Sequence, residues 1–257
     1  MTIEVDTLVP AKDALRRSVW EALQDSKVAR FPGAWGRIPN FTGAETAAGR
    51  ARGLDAWQRA QVVKCNPDAP QLPLRRAALQ DGKVVYMAVP RLRSEKCFIE
   101  IDPSLLNEAE LKRAASIAGS AKYGRPVHPR EMPAIDLIVT GVVAANREGA
   151  RLGKGGGYSD LEYSLLAEMG KITPETPIIT TAHRLQVLDE EIQMRAHDIP
   201  LDYIVTPDEV IECPPNHRRR PAGIDWRLLT RERIAQMPAL AQLWREASGG
   251  QAEALQR

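Results

Sequence analysis

One glycine-rich segment constrains this chain more than any other part of its sequence. Residues Arg151-Leu-Gly-Lys-Gly-Gly-Gly-Tyr-Ser-Asp160 carry four glycines within five positions, together with two cations. The apolar run Asp136-Leu-Ile-Val-Thr-Gly-Val-Val143 predicts a strand before it, and apolar residues at helical spacing from Leu161 to Met169 predict a helix after it. A glycine loop between strand and helix is typical of an anion site, because backbone N–H groups converge on the ligand and the helix N-terminus adds positive charge.

Side chains around the loop support this prediction without matching a named motif. Arg151 and Lys154 would neutralise more of the anion, and Ser159-x-x-Glu162 predicts a capping box at the start of the helix. The Walker A pattern requires Gly-Lys-Ser/Thr, and the dinucleotide pattern G-x-G-x-x-G fails at Tyr158. A flexible surface turn is the alternative interpretation of such a glycine run. The flanking strand and helix favour a phosphate-binding loop.

Alternating helices and strands predict the fold class. Helical patterns cover residues 12–28, 46–59, 74–80, 108–118 and 160–169, and strand-like apolar runs cover residues 62–63, 84–89, 97–101, 137–143, 178–181 and 203–205. This order predicts an α/β protein with a mostly parallel sheet and helices on both faces. Ligands bind beyond the carboxyl ends of the strands in such sheets, where a loop after Val143 would lie.

The domain organisation is expected to be simple. We predict one α/β domain over residues 1–212 and a C-terminal extension over residues 213–257. Pro214-Pro215, followed by Gly223, predicts a linker, and apolar residues around 228–243 predict a terminal helix packed on the same domain.

Composition limits the partners and the compartment. The net charge of +2 gives no basic excess for nucleic acid, and no hydrophobic span or leader predicts a membrane segment or signal peptide. Three widely spaced cysteines predict reduced thiols, and hence a cytoplasmic protein.

The run His217-Arg-Arg-Arg220 is a rival RNA-binding candidate, but without an RNP-type aromatic segment a solvated loop is favoured. We expect a small-molecule substrate, and a monomer or homodimer.

The glycine segment resembles the signature of the 5-formyltetrahydrofolate cyclo-ligase (methenyltetrahydrofolate synthetase) family, in which Arg-Leu-Gly-x-Gly-x-Gly-Tyr/Phe-Tyr-Asp binds ATP phosphates. Further segments resemble the family in the same order: Lys12-Asp-Ala-Leu-Arg16, Lys83-Val-Val-Tyr-Met-Ala-Val-Pro-Arg91 and residues 191–210. Other segments of the sequence resemble a divergent branch of the family, the methenyltetrahydrofolate synthetase domain-containing proteins. The resemblance implies the fold shared with ribose-5-phosphate isomerase and CoA transferases.

The resemblance also implies which residues form the site. Nucleotide-binding residues would be Lys12, Arg16, Arg151, Gly153, Gly155, Gly156, Gly157, Tyr158 and Asp160. Catalytic residues would be Arg151 and Lys154, substrate contacts would be Asp68, Gln71, Arg91 and Tyr158, and Mg²⁺ would lie at Asp160 and Asp198. Four alternatives stay open: Lys154 points to solvent, Tyr158 packs in the core, Asp160 only caps the helix, and His197-Asp198 only ends a helix.

Departures from the family pattern concern mainly the folate side. Gln71 aligns with the family's glutamate beside the formyl group, although Asp68, three residues earlier, is the alternative acid. Ser159 replaces the second aromatic residue, and Leu161 replaces an arginine. His183 either lines the pocket or is structural, and the structural role is favoured.

The resemblance implies that ATP phosphorylates the formyl oxygen of 5-formyltetrahydrofolate and that N10 then closes the ring to give 5,10-methenyltetrahydrofolate. Two other functions stay open because of the departures. One is an ATP-dependent enzyme that acts on another amide, or on a pterin- or thiamine-related compound. The other is a non-catalytic nucleotide- or folate-binding protein.

Overall fold

A computed structural model describes residues 8–215 and 220–247 of the chain. The helices are α1 (Leu8–Asp25), α2 (Ala44–Ala51), α3 (Asp55–Arg59), α4 (Leu72–Gln80), α5 (Glu108–Ala114), α6 (Ile117–Tyr123), α7 (Tyr158–Glu168), α8 (Arg231–Ala235) and α9 (Pro238–Ala247). The strands are β1 (Ala29–Arg30), β2 (Asn40–Phe41), β3 (Val62–Cys65), β4 (Val84–Ala88), β5 (Phe98–Ile101), β6 (Arg125–Val127), β7 (Leu137–Val139), β8 (Ala144–Asn146), β9 (Arg151–Leu152), β10 (Ile178–Thr181), β11 (Val187–Leu188), β12 (Tyr203–Val205) and β13 (Val210–Glu212).

An eight-stranded sheet in the order β13-β12-β10-β7-β3-β4-β5-β6 forms the centre of the molecule. Strands β12, β10, β7, β3 and β4 run parallel, whereas β13, β5 and β6 pair antiparallel at the two ends. The predicted α/β class with a mostly parallel sheet is confirmed. Because the central strands are parallel, their carboxyl ends meet at one edge of the sheet.

Side chains alternate along the central strands and bury two apolar layers, one on each face of the sheet. In β7, Ile138 belongs to one layer, while Leu137 and Val139 belong to the other. Helices α7 and α9 pack on the first layer, and α2 and α4 pack on the second. Helices therefore cover both faces, as predicted.

A smaller sheet in the order β11-β8-β9 carries the glycine-rich loop. Residues Ala144 and Leu152 of this sheet pack with Val19, Trp20 and Leu23 of α1 in a third apolar cluster. The strand prediction over 137–143 was therefore wrong in its length: β7 ends at Val139, and β8 belongs to the other sheet. The loop follows β9 of the smaller sheet.

The chain leaves the large sheet where Thr140 and Gly141 follow β7. A Cβ on Gly141 would lie 2.8 Å from Cγ2 of Ile38 and 3.1 Å from Oε1 of Gln71, so the close approach of these side chains requires glycine. This crowded turn lies where the chain passes from β7 of the large sheet to β8 of the smaller one.

Several predicted helices are divided or shifted. The single helices predicted over 46–59 and 108–118 are the pairs α2–α3 and α5–α6, and the terminal helix predicted around 228–243 is α8 and α9. Ser116 starts α6 by accepting a hydrogen bond from the N–H of Gly119. The capping box at Ser159 and Glu162 was wrong, because α7 begins two residues earlier than predicted, with Gly157 as its N-cap.

No helix within the described residues has the length and apolar character needed to span a membrane. All three cysteines are buried free thiols.

Candidate active site

Two adjoining cavities lie against the glycine loop. The larger has a volume of about 890 Å³ and the smaller about 260 Å³. Both are lined by Arg151, Gly153, Gly157 and Asp160. These shared residues form one wall, built from the loop and the start of α7, and ligands in the two cavities would lie beside it.

The larger cavity lies beyond the carboxyl ends of β3 and β4. Residues 66–69 follow β3 and residues 89–91 follow β4, and both segments line it. This is where a parallel sheet is expected to bind its ligands. The predicted location of the site and the location of the larger cavity agree.

The loop backbone depends on glycine at two positions. Gly155 has a φ of 102° and Gly157 a φ of 67°, in the left-handed region that side chains disfavour. Gly156 is restricted by space, because a Cβ there would lie 3.0 Å from the Tyr158 ring. The tight turn lets α7 start directly at Tyr158.

Arg151 provides a fixed, buried cation at the shared wall. Its side chain is 3% exposed, and its guanidinium donates hydrogen bonds to the Asp160 carboxylate and to the carbonyl groups of Gly141 and Ile199. The same Asp160 oxygen, Oδ1, also accepts a hydrogen bond from the N–H of Ile199. These bonds hold Arg151 and Asp160 in one orientation.

The smaller cavity brings together the cations of α1 and the loop. Lys12 Nζ lies 2.6 Å from Asp198 Oδ2, and Arg16 Nε donates to the Gly153 carbonyl oxygen at 2.7 Å. Burial alone would raise the pKa of Asp198, but hydrogen bonds from the Arg195 N–H and from Lys12 outweigh it and lower the pKa below its usual value. The Asp198 carboxylate is therefore held in its ionised form.

Asp160 and Asp198 both line the smaller cavity, so the two proposed metal ligands face the same space. Within residues 8–215 and 220–247 no cluster of three or more His, Cys, Asp or Glu side chains could hold a metal ion. Two carboxylates suit Mg²⁺, which is often bound by one or two carboxylates and completes its octahedron with phosphate oxygens and water.

Besides Gly156 and the residues of the shared wall, four predicted residues line the larger cavity: Asp68, Arg91, Lys154 and Tyr158. Lys154 Nζ lies 3.4 Å from Asp68 Oδ1, so Lys154 is directed across the cavity towards an acid. Arg91 has a φ of 59°, a left-handed conformation that is uncommon for a side chain other than glycine.

Gln71 lies apart from this group. Its side chain is fully buried, and it lines neither cavity. Among the described residues, neither Oε1 nor Nε2 of Gln71 has a hydrogen-bond partner. The structure therefore does not bring Gln71 to the loop, whereas the alternative acid, Asp68, lies in the larger cavity.

A largely buried polar network at the floor of the larger cavity was not predicted. Lys64 Nζ donates to Glu162 Oε2 and to Asn66 Oδ1, both at 2.5 Å, and Asn66 Nδ2 donates to Ser159 Oγ at 2.7 Å. The Lys64 and Glu162 side chains are only 2% and 8% exposed. A lysine inside the apolar run Val62–Cys65 was the one sequence signal for this network.

Arg75 holds the segment that carries Asp68. This buried side chain donates to the carbonyl oxygens of Asn66 at 2.5 Å, Asp68 at 3.0 Å and Ala115 at 2.8 Å. Burial lowers the pKa of Arg75 from its usual value. Three backbone carbonyls thus replace the water that the guanidinium loses.

Phe31 was also not predicted. It lines the mouth of the larger cavity, and 92% of it is exposed. A planar ring in the cavity would find a stacking partner here.

The two remaining candidates have structural contacts. His183 accepts a hydrogen bond at Nδ1 from the Leu185 N–H, and it lines neither cavity. In the basic run, Arg220 pairs with Asp202 and donates to the carbonyl oxygen of Thr176. Residues 217–219 of that run lie outside the described part of the chain.

Comparisons with known proteins agree with the sequence resemblance. The sequence model of the 5-formyltetrahydrofolate cyclo-ligase family matches residues 9–207. The methenyltetrahydrofolate synthase domain-containing proteins of Bos taurus and Homo sapiens are 37% identical over 237 residues and 36% identical over 250 residues. These alignments cover 91% and 96% of this chain but only 62% and 65% of the relatives, so the chain spans less than two thirds of their length.

Among solved structures, the NMR structure of Aquifex aeolicus 5,10-methenyltetrahydrofolate synthetase is similar to this chain with a TM-score of 0.48. The two sequences are 20% identical, and the match covers 78% of this chain and 92% of the Aquifex aeolicus protein.

Proposed function

The chain belongs to the 5-formyltetrahydrofolate cyclo-ligase family, and from this premise we propose that it converts 5-formyltetrahydrofolate to 5,10-methenyltetrahydrofolate, with ATP giving ADP and phosphate. The observation that carries the proposal is the shared wall of the two cavities. A phosphoryl transfer needs donor and acceptor aligned on the same stabilising groups. Two adjoining cavities that share these lining residues would let the γ-phosphate and the acceptor oxygen meet beside the same groups.

On the nucleotide side, the smaller cavity would take the polyphosphate chain. It is lined by Lys12, Arg16, Arg151 and loop glycines, a combination of cations and small residues that suits phosphate oxygens. Since Arg151 is already held by its neighbours, it would need little reorganisation when charge develops on the moving phosphoryl group.

On the acceptor side, the larger cavity has room for a reduced folate or a compound of that size. Asp68 and Lys154 supply a facing acid and cation, and Phe31 supplies an exposed ring. We propose that Asp68 orients the formyl-bearing end of the substrate and that Phe31 stacks on one of its rings.

The proposed reaction has two steps. The formyl oxygen attacks the γ-phosphorus of ATP, the bond from that phosphorus to the bridging oxygen breaks, and ADP leaves. N10 then attacks the formyl carbon, the N10 proton passes to solvent, and the bond between carbon and the phosphate oxygen breaks to release phosphate. The residues of the shared wall align the two reactants and stabilise the transferred charge.

Asp160 and Asp198 would hold Mg²⁺ beside the phosphates. The ion would neutralise phosphate charge, while the protein supplies the two carboxylates.

A second candidate function is an ATP-dependent reaction on a different amide. The observation that favours it is the polar floor of the larger cavity, where Ser159 accepts a hydrogen bond from Asn66. The family resemblance implies an aromatic residue at Ser159. A change from aromatic to polar lining would alter which ring system the cavity accepts.

The test is turnover of the purified chain with MgATP and 5-formyltetrahydrofolate. We expect methenyl product and ADP to appear together in equal amounts. Neither product should form when MgATP or 5-formyltetrahydrofolate is left out. ATP binding without methenyl product at any substrate concentration would favour the second candidate. Absence of ATP binding would contradict both.

A further inference from the structure

The C-terminal segment, residues 220–247, contacts the glycine loop through Arg233. The family match ends at residue 207, whereas Arg233 lies on α8. Its Nη2 donates to the Gly156 carbonyl oxygen at 2.5 Å, and its guanidinium carbon lies 5.7 Å from the centre of the Tyr158 ring. A part of the chain outside the family match therefore contacts the middle of the loop.

Arg233 is held in place by the packing of its own helix. Thr230 caps α8 by accepting a hydrogen bond from the Arg233 N–H, and the neighbouring side chains of Ile234 and Met237 are buried. At the other end of α7, the N–H of Ile224 donates to Glu168 at 3.1 Å. The C-terminal segment thus contacts α7 at both of its ends.

The bond to Gly156 determines how the loop presents its amides. A peptide bond is planar and trans, so its carbonyl and the following N–H point in opposite directions. With the Gly156 carbonyl held towards Arg233, the N–H of Gly157 must point away from Arg233. Arg16 acts in the same way on the Gly153 carbonyl, which orients the N–H of Lys154.

External anchors matter here because the loop is rich in glycine. Glycine has more backbone freedom in the flexible state than any other residue, so fixing it costs the most entropy. Arg16 and Arg233 hold carbonyls on either side of Gly155. These two bonds therefore restrict the backbone of the loop in the absence of a ligand.

We propose that Arg233 is a positioning residue that preorganises the glycine loop for a polyphosphate, so that docking of the C-terminal segment and nucleotide binding are coupled. This inference rests on the proposed function, in which the loop binds the phosphates of ATP. Arg233 lines neither cavity, so its effect passes through the Gly156 carbonyl.

The experiment compares three variants of the full chain. Arg233→Met keeps an apolar stem beside Tyr158 but removes the donors, and Arg233→Lys keeps a donor. The matched control is Arg245→Met, because Arg245 lies in the same segment and donates to the Ala241 carbonyl of its own helix. Displacement of a fluorescent ATP analogue by MgATP and by inorganic tripolyphosphate gives the affinities, and thermal melts check folding.

We expect Arg233→Met to weaken both ATP and tripolyphosphate about tenfold, the effect of losing a charge-assisted hydrogen bond. The affinities of Arg233→Lys should stay within about threefold of those of the wild type, and the affinities of Arg245→Met should equal those of the wild type. The inference would be overturned if Arg233→Met bound both ligands with wild-type affinity, or if Arg233→Lys lost as much affinity as Arg233→Met. It would also be overturned if Arg233→Met lost affinity for ATP but not for tripolyphosphate.

The same experiment separates this inference from the proposed function. If Arg151→Ala weakens ATP binding while Arg233→Met does not, the inference fails and the nucleotide site stands. If the wild type binds neither MgATP nor tripolyphosphate, the proposed function fails and the inference fails with it.

Discussion

At the scale of single residues, the cations of the loop region are already paired with acids. Lys12 pairs with Asp198, Arg151 with Asp160, and Lys154 lies near Asp68. A bound polyphosphate would compete with Asp198 for Lys12, while the carbonyl groups of Gly141 and Ile199 continue to hold Arg151. The Asp198 carboxylate released in this way would be free to take Mg²⁺, so phosphate and metal binding should support each other.

The first prediction concerns Arg151. Replacing it with Ala should weaken MgATP binding by about 1.5–3 kcal/mol, because a charge-assisted hydrogen bond to phosphate is lost. Titration calorimetry measures the change. Arg147→Ala is the control, because Arg147 is an exposed arginine that pairs with Glu209 away from the loop. Equal affinity in the Arg151 variant and the wild type would remove the loop from the nucleotide site.

The second prediction compares Asp68 with Gln71. Asp68→Asn should lower kcat/KM by roughly tenfold or more, since charged hydrogen bonds contribute about twice as much as neutral ones. Gln71→Glu should fail to improve turnover and should lower the melting temperature, because it places a carboxylate in a fully buried site. Steady-state kinetics and thermal melts measure both effects. Improved turnover in Gln71→Glu would return that position to the substrate side.

At the scale of elements, local sequence patterns predicted the strands well but did not predict the contacts between distant side chains. The run of residues 178–181 and the run of residues 203–205 are strands with the predicted bounds, because their apolar sequence is a local signal. The loop was found because glycine spacing is also local. By contrast, Lys64 and Glu162 are 98 positions apart, and spacing carries no information about such a pair.

Helix ends were predicted less well for a physical reason. Ser159 and Glu162 have capping-box spacing, but tertiary partners take both side chains: Asn66 binds Ser159, and Lys64 binds Glu162. Glycine conformation starts α7 in place of a side-chain cap. Tertiary contacts thus took the side chains that the local capping pattern would have used.

The third prediction tests the link between β3 and α7. Lys64→Ala should cost about 3–5 kcal/mol of unfolding free energy, because it leaves the Glu162 carboxylate buried without its cation. Chemical denaturation measures the loss. Arg59→Ala is the control, since the exposed Arg59–Asp55 pair should contribute less than about 1 kcal/mol.

The double variant Lys64→Met with Glu162→Leu sharpens this test. Replacing both partners with apolar groups removes the uncompensated charge, so much of the lost stability should return. A double variant less stable than Lys64→Ala would contradict the account of an electrostatic pair.

At the scale of the whole molecule, the C-terminal helices complete the main core. Met237, Ala239 and Leu240 are buried in the same apolar cluster as Ile138 and Ile178 of the central sheet. We therefore propose that the extension and the α/β domain unfold as one cooperative unit.

The fourth prediction follows from this packing. Leu240→Ala should destabilise the chain by about 2–5 kcal/mol, the usual cost of truncating a buried leucine. Thermal unfolding should remain a single transition, shifted to lower temperature. Leu228→Ala is the control because Leu228 is mostly exposed. A separate early transition for the C-terminal segment would contradict one cooperative unit.

The two ends of the central sheet have a consequence for solubility. Both end strands are only three residues long, and β6 contains Pro126, which has no backbone N–H to offer to another strand. Beside it, Arg125 forms an ion pair with Glu100. Edge strands that are short, charged or interrupted by proline pair poorly with the edge strand of another molecule, which limits aggregation. The β6 end of the broad sheet is thus a poor template for another strand when the protein is concentrated.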